Sequence, residues 1–201
     1  DTQAGEKGIA RASAMTSSSS RRQFLQRSGL LLSFTVGART LLLSPEQAHA
    51  EKLPFQVLSS AESATLESIA EGLVPGARSA GVAHFIDNQL AASQEDCLLM
   101  LKYLGVPAEG FRGFYQSALA AADALARKTH GAGWDKLSSE QAGQLLTAIS
   151  GPDPDGWQDP PAGFFTFVLR ADACDVVYGT EQGFARVGMP YMAHIKPESS
   201  W

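Results

Sequence analysis

Between Ser59 and Tyr178, glycine and proline cut the chain into segments whose apolar residues recur every three or four positions. Only a helix turns that spacing to one side. Ser59-Ser60-Ala61-Glu62 has the form of a capping box, in which the serine hydroxyl and the glutamate carboxylate each satisfy an amide at the helix start. Leu66, Ile69, Ala70 and Leu73 then share a face, and Pro75-Gly76 ends the segment. Val82, Phe85, Ile86 and Leu90 mark a second helix. A third is expected from about Gln94 to Leu104, stopped by Gly105-Val106-Pro107.

The longest helix is expected over 110–129, with Phe111, Phe114, Tyr115, Ala118, Leu119, Ala122, Leu125 and Ala126 on its apolar side. Its alanines have the best helix propensity and let a neighbouring backbone come close. Gly131 and Gly133 terminate it, and Ser138 with Gln141 opens the next helix, which reaches about Ile149. Gly151 to Pro161 holds four prolines, three aspartates and two glycines, so it is a loop, with Trp157 inside it. Ala162 to Tyr178 is apolar around most of its circumference, which marks a helix that is buried or that faces two neighbours. No stretch alternates with period two convincingly enough to be a strand. The expected fold is all-α: a single compact bundle of six helices with an extended C-terminal tail from Gly179 to Trp201.

Residues 1–50 are a different kind of polymer. A Ser- and Ala-rich start leads to Ser20-Arg21-Arg22-Gln23-Phe24-Leu25, then to an apolar stretch from Leu30 to Leu43, and then to Ala48-His49-Ala50. A basic start, an apolar middle and an A-x-A ending make a cleavable secretory signal. Arg21, Arg22, Phe24 and Leu25 match the twin-arginine motif, whose translocon carries folded proteins. Ser33, Thr35, Gly37 and Arg39 dilute the apolar middle below what a permanent membrane span of about 20 apolar residues requires. The expected division is a twin-arginine signal region over 1–50 and a helical domain over 51–201.

That domain carries 10 basic and 18 acidic side chains, a net charge of −8. Such a surface does not bind nucleic acid or an anionic membrane by charge. Export would place it in the oxidising periplasm, where Cys97 and Cys174 can pair; the alternative is two separate buried thiols.

Motifs for chemistry are missing from the sequence. It has no G-x-G-x-x-G, no phosphate loop, no C-x-x-C-H for haem, no G-x-S-x-G, and two cysteines where a ferredoxin-type cluster needs four. No catalytic, cofactor-binding or metal-ligating residue is assigned. His84 and Asp87 can share a helix face, but two ligands fall short of zinc's three or four. His130 falls in the last turn of the long helix, where a cation suits the exposed carbonyls. His194, within Pro190-Tyr191-Met192-Ala193-His194, has no orienting carboxylate evident from spacing. Aromatic residues crowd toward the C-terminus. Trp157, Tyr178, Phe184, Tyr191 and Trp201, with His194, are candidate partner contacts.

Two stretches carry a resemblance. Ile69-Ala70-Glu71-Gly72-Leu73-Val74-Pro75-Gly76, followed by Ala80-Gly81-Val82-Ala83-His84-Phe85-Ile86-Asp87, resembles the opening signature of the gluconate 2-dehydrogenase subunit 3 family. Tyr178-Gly179-Thr180-Glu181-Gln182-Gly183-Phe184, then Gly188-Met189-Pro190-Tyr191, resembles its closing signature. The resemblance implies a small, non-catalytic subunit without a cofactor of its own. It implies a large FAD-binding catalytic subunit and a cytochrome subunit carrying haem c as partners. Together they oxidise an alcohol or sugar acid at the periplasmic side of the inner membrane. The small subunit would supply the twin-arginine translocon's signal and support folding of the flavoprotein. The alternatives are an independent periplasmic helical enzyme using His84, His194 and nearby carboxylates, or an export adaptor for another oxidoreductase.

Overall fold

The computed structural model describes residues 30–37 and 39–190. A hairpin of β1 (Leu32–Val36) and β2 (Arg39–Leu43) comes first, followed by α1 (Pro45–Ala50), α2 (Ser60–Leu73) and α3 (Val82–Ala91). The single-turn α4 (Met100–Tyr103), the long α5 (Ala108–His130), a 3₁₀ turn (Trp134–Lys136), α6 (Ser139–Ile149), α7 (Ala162–Tyr178) and α8 (Glu181–Arg186) complete it. The architecture is the all-α bundle that the periodicity implies, with eight helices among the described residues.

Two helices form the hub. The α2 helix packs against α3, α5, α6, α7 and the 3₁₀ turn, and α7 packs against every helix from α2 to α6 and against α8. Their apolar faces meet in one core built on Leu66, Ile69, Phe85, Ile86, Tyr115, Leu119, Trp134, Ile149, Phe165 and Leu169, all essentially inaccessible to water. Each large side chain buried this way contributes roughly 1.5–3 kcal/mol. Ala118, Ala122 and Ala126 line the same side of α5 and are wholly buried, as close backbone approach requires.

Local signals set most boundaries. At Ser59 the backbone amide donates to Glu62 Oε2 at 2.7 Å and the hydroxyl accepts from the Glu62 amide at 3.2 Å. Ser138 and Gln141 make the same reciprocal pair. Gly131 stops α5 at φ +72°, a left-handed cap that glycine adopts without steric cost.

Three segments differ from the sequence expectation. The helix expected over Gln94–Leu104 is reduced to Met100–Tyr103, because side chains capture the backbone groups a longer helix would use. Ser93 Oγ accepts from the Asp96 amide, Gln89 Oε1 from the Leu98 amide, and Lys102 Nζ donates to the carbonyls of Glu95 and Cys97. The tail is not extended throughout: Thr180 caps α8 by accepting from the Gly183 amide at 3.0 Å.

The third difference is a strand pair inside the expected signal region. Gly37, at φ +61°, turns β1 back onto β2 with Leu32 facing Leu43 and Val36 facing Arg39. Leu32 and Phe34 point into the body, and Asn88 Nδ2 of α3 donates to the Ser33 carbonyl at 2.7 Å. Helix α1 also lies on α3, with Ala48 fully buried. The close approach depends on Gly81, at φ +82°, where an added Cβ would collide with the Pro45 carbonyl oxygen.

Candidate functional site

Several large apolar groups on α7 and on the elements around it lie outside the core. On α7, Phe165, Val168 and Leu169 are buried, while Phe164 and Phe167 face outward and Phe167 stays 52% exposed. The short α4 packs beside this helix and exposes Tyr103 (67%) and Leu104, with Leu98 just before it. After α7, the chain folds back as α8 and then exposes Val187 and Met189. Gly183 allows that return, because a Cβ there would run into the Val177 carbonyl oxygen and the Tyr178 backbone. Nothing in a folded core requires large apolar groups in water at these positions, and exposed groups of this kind are the material of interaction faces.

The aromatic residues expected at a partner surface are placed less outwardly. Trp157, Tyr178 and Phe184 are half-buried. Trp157 and Tyr178 pack on the core, and Trp157 Nε1 donates to the Pro160 carbonyl at 2.7 Å. Arg21, Arg22, Phe24, Leu25, Tyr191, His194 and Trp201 lie outside the described residues. Cys97 is buried, Cys174 is half-buried, and both are free thiols whose pKa burial raises. The outward Phe167 was legible only as part of a helix apolar all round; Tyr103, Leu104, Val187 and Met189 carried no periodic signal.

Inside the bundle, Asp172 is fully buried on α7. Its Oδ1 accepts from the Met100 amide at 2.7 Å, and its Oδ2 accepts from the Tyr115 hydroxyl. One carboxyl thus holds α4 and α5 to α7. Desolvation pushes its pKa up to about 6 against the opposing effect of these hydrogen bonds, and drives the Tyr115 hydroxyl well above its ordinary value.

Around the α2–α3 turn, acidic groups gather backbone amides. Glu71 accepts from Gly76 and Arg78 at 2.9 Å each. Asp87 accepts from Gln56, Val57 and Leu58 at 2.8 Å each, fixing the segment that leads into α2.

Beside this turn, α1, α2 and α3 bring His49, Glu67 and His84 together, with one donor atom of each within 4.8 Å of the others. His49 Nδ1 lies 3.5 Å from Glu67 Oε1, and Arg78 Nε lies 3.8 Å from Glu67 Oε2. His84 Nε2 is 3.1 Å from the Leu53 carbonyl and donates to it. Its Nδ1 therefore carries the lone pair, and that atom is buried without a hydrogen-bond partner. The His84 ring lies 4.5 Å from Phe55 and meets His49 nearly edge-on. Burial lowers the His84 pKa, which keeps the imidazole neutral, and burial raises that of Glu67 despite His49 and Arg78. In the sequence His84 has Asp87 as its helix-face neighbour and nothing marks Glu67, because no linear spacing joins residues on three separate helices.

A family model described as gluconate 2-dehydrogenase subunit 3 matches residues 60–194, from the first residue of α2 to beyond α8. No curated protein and no solved structure gives a match.

Proposed function

The chain belongs to the gluconate 2-dehydrogenase subunit 3 family, and on that premise we propose that it is a non-catalytic small subunit of an FAD-dependent alcohol or sugar-acid dehydrogenase complex. In this reading it escorts the flavoprotein subunit through the twin-arginine translocon and stabilises it at the periplasmic face of the inner membrane, beside a cytochrome subunit that carries haem c. The observation that carries the reading is the outer side of α7. Phe164 and Phe167 face outward on the helix that otherwise organises the core, and Tyr103, Leu104, Val187 and Met189 are further large apolar groups left in water on or just after the short helices that pack against it. A large partner covering that face would remove apolar area from water, gaining about 25 cal/mol for each Å².

A folded-protein translocon supplies the logic for a single leader serving two chains. A flavoprotein acquires FAD where FAD is made and has to fold around it before crossing. A bound companion carrying Arg21 and Arg22 can take it through. The experiment is to replace both arginines by lysine and follow the flavoprotein. Retention of both proteins in the cytoplasm is expected. A flavoprotein that still reaches the periplasm would overturn the escort role.

A further inference from the structure

The geometry points to a divalent-metal site formed by His49, Glu67 and His84 and suited to zinc. Two imidazoles and one carboxylate are a donor set that zinc uses, with water completing the shell where three protein ligands are present. Zinc–ligand bonds of about 2.0–2.1 Å put neighbouring donors in a tetrahedral shell about 3.3 Å apart. The His49 Nδ1 to Glu67 Oε1 separation of 3.5 Å is already close to that. The remaining donor pairs, under 4.8 Å apart, close with modest rotation of His49 and Glu67, which are both half-buried.

His84 is prepared for the role. Its side chain is only 4% exposed, its Nε2 is committed to the Leu53 carbonyl, and its Nδ1 lone pair has no other use. A carbonyl on the far ring nitrogen is the usual support for a ligating histidine, because it fixes the tautomer and the ring orientation. A buried, unpaired acceptor costs about 1–3 kcal/mol, so a merely structural role leaves this atom unexplained. Arg78 sits near Glu67 Oε2 and is half-exposed; it orients the carboxylate while leaving Oε1 toward His49. Asp87, on the same helix as His84, adds negative charge nearby.

An ion here would join α1 to α2 and α3, and so fasten the hairpin side of the chain to the body. The site is complete only while residues 45–50 remain attached, because His49 belongs to α1. The inference is independent of the escort reading, since its readout is metal uptake by this chain alone.

The test uses the full-length chain, with mass spectrometry confirming that His49 is present. Equilibrium dialysis against micromolar zinc is followed by metal analysis and by thermal unfolding with and without zinc. About one zinc per chain and a zinc-dependent rise in the unfolding midpoint are expected. His49→Gln and Glu67→Gln alter half-buried side chains and leave the core intact; each is expected to weaken zinc binding at least ~10-fold and remove the midpoint shift. Absence of zinc uptake by the unaltered chain, or uptake and shift unchanged in both variants, would overturn the proposal.

Discussion

The Tyr115 hydroxyl donates to Oδ2 of Asp172, across the contact between α5 and α7, and both residues are fully buried. The acid's pKa of about 6 in the fold lies above the roughly 3.9 of an unfolded aspartate. The folded state therefore holds the proton to higher pH, and protonation favours folding. That contribution is complete below about pH 4, declines as pH rises, and is gone above the folded value near 6. Between pH 4 and 7 the chain is expected to lose on the order of 3 kcal/mol relative to an Asp172→Asn variant, measured by urea unfolding at each pH. A difference that stays constant with pH would show that Asp172 is ionised in the fold throughout.

Gly81 and Gly105 separate backbone strain from collision. Both have positive φ, +82° and +76°, but only at Gly81 would a methyl group strike backbone, at Pro45; around Gly105 the space is open. Gly105→Ala is expected to cost about 1 kcal/mol, the conformational penalty alone. Gly81→Ala should cost distinctly more and push α1 off α3. Limited proteolysis within residues 44–53 would detect the release, and comparable losses for the two variants would contradict the close packing.

Asp87 supplies acceptors for three successive amides. Asp87→Ala leaves those donors unpaired and is expected to cost about 3 kcal/mol. Amide exchange at Gln56, Val57 and Leu58 should accelerate before global unfolding does. Protection unchanged at these three positions would mean water replaces the carboxylate without loss.

The exposed apolar groups of α7 and α4 should separate binding from stability. Phe167→Ser and Tyr103→Ser alter exposed groups and are expected to shift stability by less than about 0.5 kcal/mol, while reducing recovery of the flavoprotein with the tagged chain. Phe165→Ala, one residue pair away but wholly buried, should cost about 3–5 kcal/mol. Undiminished recovery with the first two variants would place the partner on another face.

Helix starts were readable where a residue's own side chain closes the backbone locally, as at Ser59 with Glu62 and Ser138 with Gln141. Apolar spacing likewise identified Phe111, Tyr115, Ala118, Leu119 and Ala122 as one buried face. It misread Gln94–Leu104, whose backbone is organised by Gln89, by Lys102 and by the distant Asp172. The hairpin was missed because Leu32 and Phe34 gain their preference for one side from α3 and the body beneath them, not from a long alternating run. His49, Glu67 and His84 meet only after three helices have docked, so their association is tertiary information.

Ala48, the first alanine of Ala48-His49-Ala50, is inaccessible and lies within α1. A peptidase grips its substrate as an open strand, so if the proposed signal is cut after Ala50, α1 has to undock and uncoil first. On that proposal, the speed of the cut would gauge how often this short helix breathes, and whatever fastens it to the body would delay it.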